Sequence, residues 1–312
     1  AALASGMAWF ATGTDLGGSL RNPASWNGVV GLRPTPGLIA HGPSKMPFSA
    51  FSLNGPMARN IEDLEIFFRA MISYDSRDPV SVKNSILSKK INLDIKSDMK
   101  YRIGITQDFN IFPCSSEISD MINNTSKLVN HLGHEADNQF PDMTNTEEAF
   151  QIFRAYIFYY TYGFLLKEDT KIKQDIIWNI EKGKNLEVDD LIKAENIRSK
   201  LYANISNFFT NHDFLICPSS SVAPFNYDTK WVKKIDNYEF NNYVSWLMIC
   251  ACISLTNCPS LAIPTSISQN GAPIGIQIVA PPYEDLKLIE FAKSLEKEIN
   301  IASMLPVNPS NE

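Results

Sequence analysis

The feature that most constrains this chain is a run of glycines, Gly13, Gly17, Gly18, Gly28, Gly31 and Gly37, set in a stretch with few charges. A flexible exposed linker is polar, and this one is not. The segment from 12 to 37 therefore reads as a buried connection between short extended pieces, with glycine permitting close backbone approach or positive φ. At its centre lies Gly13-Thr14-Asp15-Leu16-Gly17-Gly18-Ser19-Leu20-Arg21-Asn22-Pro23-Ala24. Two glycines directly before a serine can turn several backbone N–H groups toward one point beside the hydroxyl. Acyl transfer needs that arrangement, because negative charge develops on the carbonyl oxygen in the tetrahedral transition state, and losing one donor costs a hydrolase roughly 3 kcal/mol. Two other readings stay open on the residues alone. The loop could hold a phosphate, although neither G-x-x-x-x-G-K-[ST] nor G-x-G-x-x-G is present, or Ser19 could simply cap a helix.

The rest of the chain supplies an α/β frame. Apolar periodicity predicts a helix from Asn60 through Met71, a strand at Tyr101 to Thr106, a helix over 117–132 and a strand near His134 to Asp137. Residues 144–210 read as a mainly helical inserted region, dense in aromatic rings that either pack the core or line an apolar pocket. Asp213 to Pro218, Ser260 to Pro264 and Ile274 to Val279 read as strands, Trp246 to Leu255 as a buried helix and 284–301 as an amphipathic closing helix. Residues 1 to 11, rich in alanine, are expected to be a packed helix. The polar stretch from Ser76 to Met99 is expected to be a surface excursion. With 312 residues the chain can bury a large core. No internal repeat is visible, and the chain is read as one domain over 1–312.

Charge and cysteine content narrow the function. Lys and Arg total 28 against 34 Asp and Glu, a formal charge of −6, so no general cationic field exists for a nucleic-acid backbone. No apolar run reaches the roughly 18 residues of a membrane helix. Five cysteines, Cys114, Cys217, Cys250, Cys252 and Cys258, are an odd number without zinc-ligand spacing. They fit small apolar roles in a reducing, cytoplasmic setting. Neither a metal nor an organic cofactor is expected.

Thr14-Asp15-Leu16-Gly17-Gly18-Ser19-Leu20-Arg21, followed by Pro23-Ala24 and Gly28-Val29-Val30-Gly31-Leu32-Arg33-Pro34-Thr35, closely resembles the amidase signature family. Gly55 to Arg59, the segment ending at Cys217-Pro218, Pro259 to Pro264, and Pro273 to Gln277 are similar to further landmarks of that family, so the resemblance spans nearly the whole chain. It implies an α/β amidase signature fold, a mixed central sheet covered by helices on both sides and incomplete at the N-terminus. It further implies a Ser, cis-Ser, Lys triad in which Ser19 attacks the amide carbonyl and forms an acyl-enzyme that water cleaves. Leu16, Gly17, Gly18 and Ser19 would supply oxyanion-hole N–H groups, and Thr14 would support the bridging serine. Asp15 and Arg21 would shape the loop by pairing with each other or with nearby backbone.

The bridging serine and the lysine are expected upstream, since only 18 residues precede Ser19 and Ser5 sits in the wrong surroundings. The chain by itself is thus expected to be inactive and to fold poorly alone, because a serine hydroxyl is a weak nucleophile without an adjacent base. Within the family a general amidase acting on a small-molecule amide is the first expectation. Phe225 and Trp246 are then candidates for the substrate pocket, with core packing as their alternative. The glutamine-hydrolysing component of tRNA-dependent amidotransferases is the main rival, and a catalytically inactive fragment the non-enzymatic one. No nucleic-acid or membrane partner is expected, and a homodimer is compatible with the sequence.

Overall fold

A computed structural model describes residues 1–83, 99–167, 171–300 and 305. Its strands are β1 (Phe10–Asp15), β2 (Val30–Arg33), β3 (Leu53–Ala58), β4 (Arg102–Ile105), β5 (Glu135–Asp137), β6 (Phe214–Pro218), β7 (Lys234–Ile235), β8 (Tyr238–Glu239), β9 (Ser260–Ile267) and β10 (Pro273–Val279). Eight of them form one mixed sheet in the order β1-β3-β2-β9-β10-β6-β4-β5, and β7 pairs with β8 in a separate ribbon. Along the sheet, neighbours from β1 to β6 run antiparallel, and β6, β4 and β5 run parallel.

Alternation along the strands feeds two cores, because successive side chains leave opposite faces of a sheet. In β6, Phe214 and Ile216 enter one core while Leu215 and Cys217 enter the other. A short helix, α1 (Arg21–Trp26), follows β1. The first core is closed by α2 (Ile61–Met71), α3 (Ser116–His131) and α8 (Asp285–Ile299), with Phe214 stacked on Phe291 at 4.5 Å between centroids. The second is closed by α4 (Thr146–Tyr162), α6 (Val188–Phe208) and α7 (Met248–Ser254). Between α4 and α6 lies α5 (Gln174–Lys184), packed on α4. The helical character expected over 144–210 is therefore present, and it covers one face of the sheet.

Local chemistry accounts for how α2 begins. Asn60 adopts an extended conformation and its side chain accepts the Asp63 N–H at 2.8 Å, which starts the helix where the periodicity places it. Burying all of Leu32, Leu64, Phe68, Ile103 and Ile278 supplies much of the driving force, about 1.5–3 kcal/mol for each such side chain.

Three expectations need correction. Residues 1 to 11 are not a helix: a short run of turns ends at Gly6, whose φ is 75°, and β1 begins at Phe10. Good helix formers cannot sustain so short a helix once its nucleation cost is counted. The segment Leu53–Ala58 is a strand despite Gly55-Pro56, because β2 pairs only with Met57 and Ala58, so the missing proline N–H falls beyond that ladder. Within the polar stretch 76–99, Asp78 is buried and accepts the His41 N–H at 2.8 Å. Residues 84–98 of that stretch lie outside the described residues.

Candidate active site

The site begins where β1 ends. The chain leaves the sheet at Asp15, makes a tight loop through Leu16, Gly17, Gly18 and Ser19, and enters α1, which packs back on β2, β9 and β10. A side chain at Gly17 would strike the Phe150 ring, and Gly18 holds φ at +118° with Asn22 and Cys250 against it. Only glycine satisfies both positions at low cost.

Asp15 organises this loop from within. Its carboxylate, wholly buried, accepts the Gly18 N–H at 2.7 Å and the Leu20 N–H at 3.2 Å. It also accepts two bonds from Arg21, Nε and Nη2, both at 3.0 Å. Arg33 donates to the Asp15 carbonyl and lies 3.8 Å from its carboxylate. Burial works against the Asp15 charge, yet Arg21 and Arg33 outweigh it and hold the carboxyl well below the usual carboxylate range. Burial lowers Arg33 to about 10, which leaves it charged at neutral pH.

The remaining donors of Arg21 anchor the loop to distant parts of the fold. Nη1 donates to the Cys250 carbonyl at 2.9 Å and to Gln277 Oε1 at 2.7 Å, and Nη2 donates to Ser254 Oγ at 2.7 Å. Gln277 is satisfied in turn, accepting from Ser260 Oγ and donating to the carbonyls of Pro218 and Ile249. Arg33, Ser254 and Gln277 escape a reading of the sequence alone as site residues. The clue available there is a charged or amide side chain inside strands that are otherwise apolar, since such a group is buried only when fully bonded.

Ser19 itself is exposed, and among the described residues its hydroxyl has no hydrogen-bond partner. It is not a helix cap: Leu20 holds that position and makes no side-chain cap bond. Among the described residues the N–H groups of Leu16, Gly17 and Ser19 also lack an acceptor, whereas the Gly18 N–H is committed to Asp15. Thr14 lies exposed on β1, opposite Asn54 of β3.

Ser19 and Leu16 open on a cleft of about 400 Å³ whose lining includes His41, Ser44, Ser49, Arg154, Phe158 and Tyr162. Some aromatic rings of α4 thus face this cleft, while Phe150 and Phe153 are buried in the core. Phe225 and Trp246 do not line it. They gather around Trp26 of α1, where Trp26 stacks on Trp246 at 5.9 Å and Phe225 meets Trp246 edge-on at 5.7 Å. The five cysteines are free, and burial pushes the thiols of Cys114, Cys250 and Cys258 up to about 12, so none of these three presents a thiolate.

Comparison with known proteins agrees with this architecture. The amidase family model matches residues 1–289. A glutamyl-tRNA(Gln) amidotransferase A-chain from Helicobacter hepaticus is 26% identical, over 96% of this chain and 70% of its own length. A bacterial aryl acylamidase of the amidase signature enzymes superposes with a TM-score of 0.82 at 22% identity, covering 98% of this chain and 67% of that one. A 6-aminohexanoate cyclic dimer hydrolase gives the same TM-score at 19% identity, with 98% and 68% covered. A mixed eight-stranded sheet between helical layers, a glycine loop ending in an exposed serine, and a family match over nearly the whole length lead to one conclusion: the chain belongs to the amidase family, the amidase signature enzymes.

Proposed function

We propose that the protein is an amidase that hydrolyses a small carboxylic acid amide through an acyl-enzyme on Ser19. The observation that carries this reading is the exposed Ser19 hydroxyl on a cleft, beside the N–H groups of Leu16, Gly17 and Ser19 that have no acceptor among the described residues. In the proposed reaction Ser19 Oγ attacks the carbonyl carbon, those three N–H groups stabilise the oxyanion, and the C–N bond breaks as the leaving amine or ammonia takes a proton. Water then cleaves the ester, releasing the acid and restoring the serine. Gly18, with its N–H held by Asp15, fixes the turn instead of donating to the oxyanion. Asp15 and Arg21 keep the loop in shape, and Thr14 supports the bridging serine.

Among the described residues no lysine lines the cleft, so the 312-residue chain by itself is proposed to be inactive or nearly so. A cytoplasmic setting fits the five free thiols. A second reading, glutamine hydrolysis for an amidotransferase, is favoured by the names of relatives such as that from H. hepaticus. Hydrolysis by the complete encoded protein of a panel of aliphatic and aromatic amides, with glutamine included, separates the two. Loss of hydrolysis in Ser19→Ala is expected; activity that survives this substitution would remove Ser19 as the nucleophile. An ordinary enzymatic rate from the isolated chain, abolished in the same variant, would overturn the absent base.

A further inference from the structure

One cation in the Ser19 cleft lacks a counter-charge among the described residues. Arg154 projects from α4 into the lining, and no described carboxylate lies within ion-pair distance of it. Its Nη2 donates to the Tyr243 hydroxyl at 2.9 Å, and the guanidinium lies over the Phe158 ring at 4.5 Å. Its Nε is buried and has no acceptor among the described residues. The nearest acid earlier on the same helix face, Glu147, is already engaged by Gln151 at 2.8 Å and Ser245 at 2.5 Å. On the cleft lining stands also His41, whose Nδ1 is buried with no described partner. No aspartate or glutamate is among the described lining residues.

A desolvated guanidinium with an idle donor is costly unless something anionic completes it. Aromatic and hydroxyl contacts hold its plane in place, which suits the two-pronged recognition of a carboxylate. From these contacts we infer that the Ser19 cleft takes amides that carry a free carboxylate, with Arg154 as the group that binds it. An α-ammonium beside that carboxylate would find no acidic partner in the described lining, so the fitting ligands are monoamides of dicarboxylic acids and N-acylated amino acids, not free amino acid amides. This inference rests on the amidase reading of Ser19 and refines its substrate class.

The test is binding of glutarate monoamide against its neutral diamide, measured by calorimetry or ligand-observed NMR on the full chain. The monoamide is expected to bind about tenfold tighter or more, as a charge-assisted pair predicts. Arg154→Met should erase that preference, and Tyr243→Phe, which keeps the ring and removes only the hydroxyl, should reduce it. Equal binding of the two ligands, no binding of either, or a preference that survives Arg154→Met would overturn the assignment. Hydrolysis through Ser19 with no charge preference would reject it and leave the amidase reading standing. A carboxylate preference in a protein that hydrolyses nothing through Ser19 would do the reverse.

Discussion

Replacing Asp15 by asparagine tests whether one buried charge closes the serine loop. Asparagine has the same shape, but its single oxygen cannot accept the four bonds that the carboxylate takes from Gly18, Leu20 and Arg21. Its amide N–H₂ would point donors at donors, and Arg21 and Arg33 would remain as two buried cations with no counter-charge between them. Breaking a buried pair from one side costs about 3–5 kcal/mol, a large share of the roughly 5–15 kcal/mol typical of a whole domain. Urea unfolding followed by circular dichroism should show that loss as a lower midpoint at pH 7. The pH dependence carries a second signature. The folded-state pKa of Asp15 lies below its ordinary 3.8, so its charge stabilises the fold above that value and the contribution disappears as pH falls below about 4. Asp15→Asn should flatten that acid limb. A loss under about 1 kcal/mol at pH 7, with the acid limb unchanged, would refute the account, since it would mean the arginines are neutralised by something other than Asp15.

Three further outcomes are expected. Gln277→Met keeps the volume but strands the Arg21 donor and the Pro218 and Ile249 carbonyls, and should cost about 2–3 kcal/mol in the same unfolding assay. Gly18→Ala should destabilise more than Gly17→Ala, because Gly17 meets only side chains, whereas Gly18 adds a positive φ to its crowding; equal midpoints would count against that ranking. Glu296 sits against the start of α2, accepting the Ile61 N–H at 3.0 Å, and burial, with Asp63 and Glu62 beside it, raises its pKa from 4.5 to about 7. The folded state therefore holds this proton more tightly, and the stability tied to it is full below pH 4.5 and lost as pH rises through 7. Glu296→Gln should match the parent near pH 4.5 and exceed it at about pH 8; the same gap at both values would rule the proton out.

Long periodic elements were legible in the sequence. The residues of α2, α3 and α8, and the apolar runs of β4, β6 and β10, bury the faces that their spacing predicts. What escaped was decided by contacts far along the chain. Leu53–Ala58 reads as punctuation because of Gly55-Pro56, yet it has a neighbour on either side, and Gly55 lies tight against the Leu32 carbonyl. The helix α1 escaped for a related reason, since Pro23 in its first turn reads as a break although a first turn tolerates it. Of the site, the loop around Ser19 was readable as chemistry because its glycines and serine are adjacent. Arg154 was not, being one charge among the rings of α4, and nothing local tells a snorkelling surface arginine from one that faces a cleft. Trp246 and Phe225 show the converse: apolar bulk says that a residue is buried and not against what.

The anchoring of Arg21 has a consequence for the order in which the molecule can be made. Its partners Cys250 and Gln277 follow it by 229 and 256 residues. At ribosomal rates of about 5–20 residues per second, roughly 10–50 s separate the emergence of the serine loop from that of the glutamine that holds it. For that interval Ser19 is already synthesised but has no fixed geometry. Any species stopped short of β10 carries the complete loop sequence and none of its arrangement, so newborn chains are protected from premature acylation by their own topology.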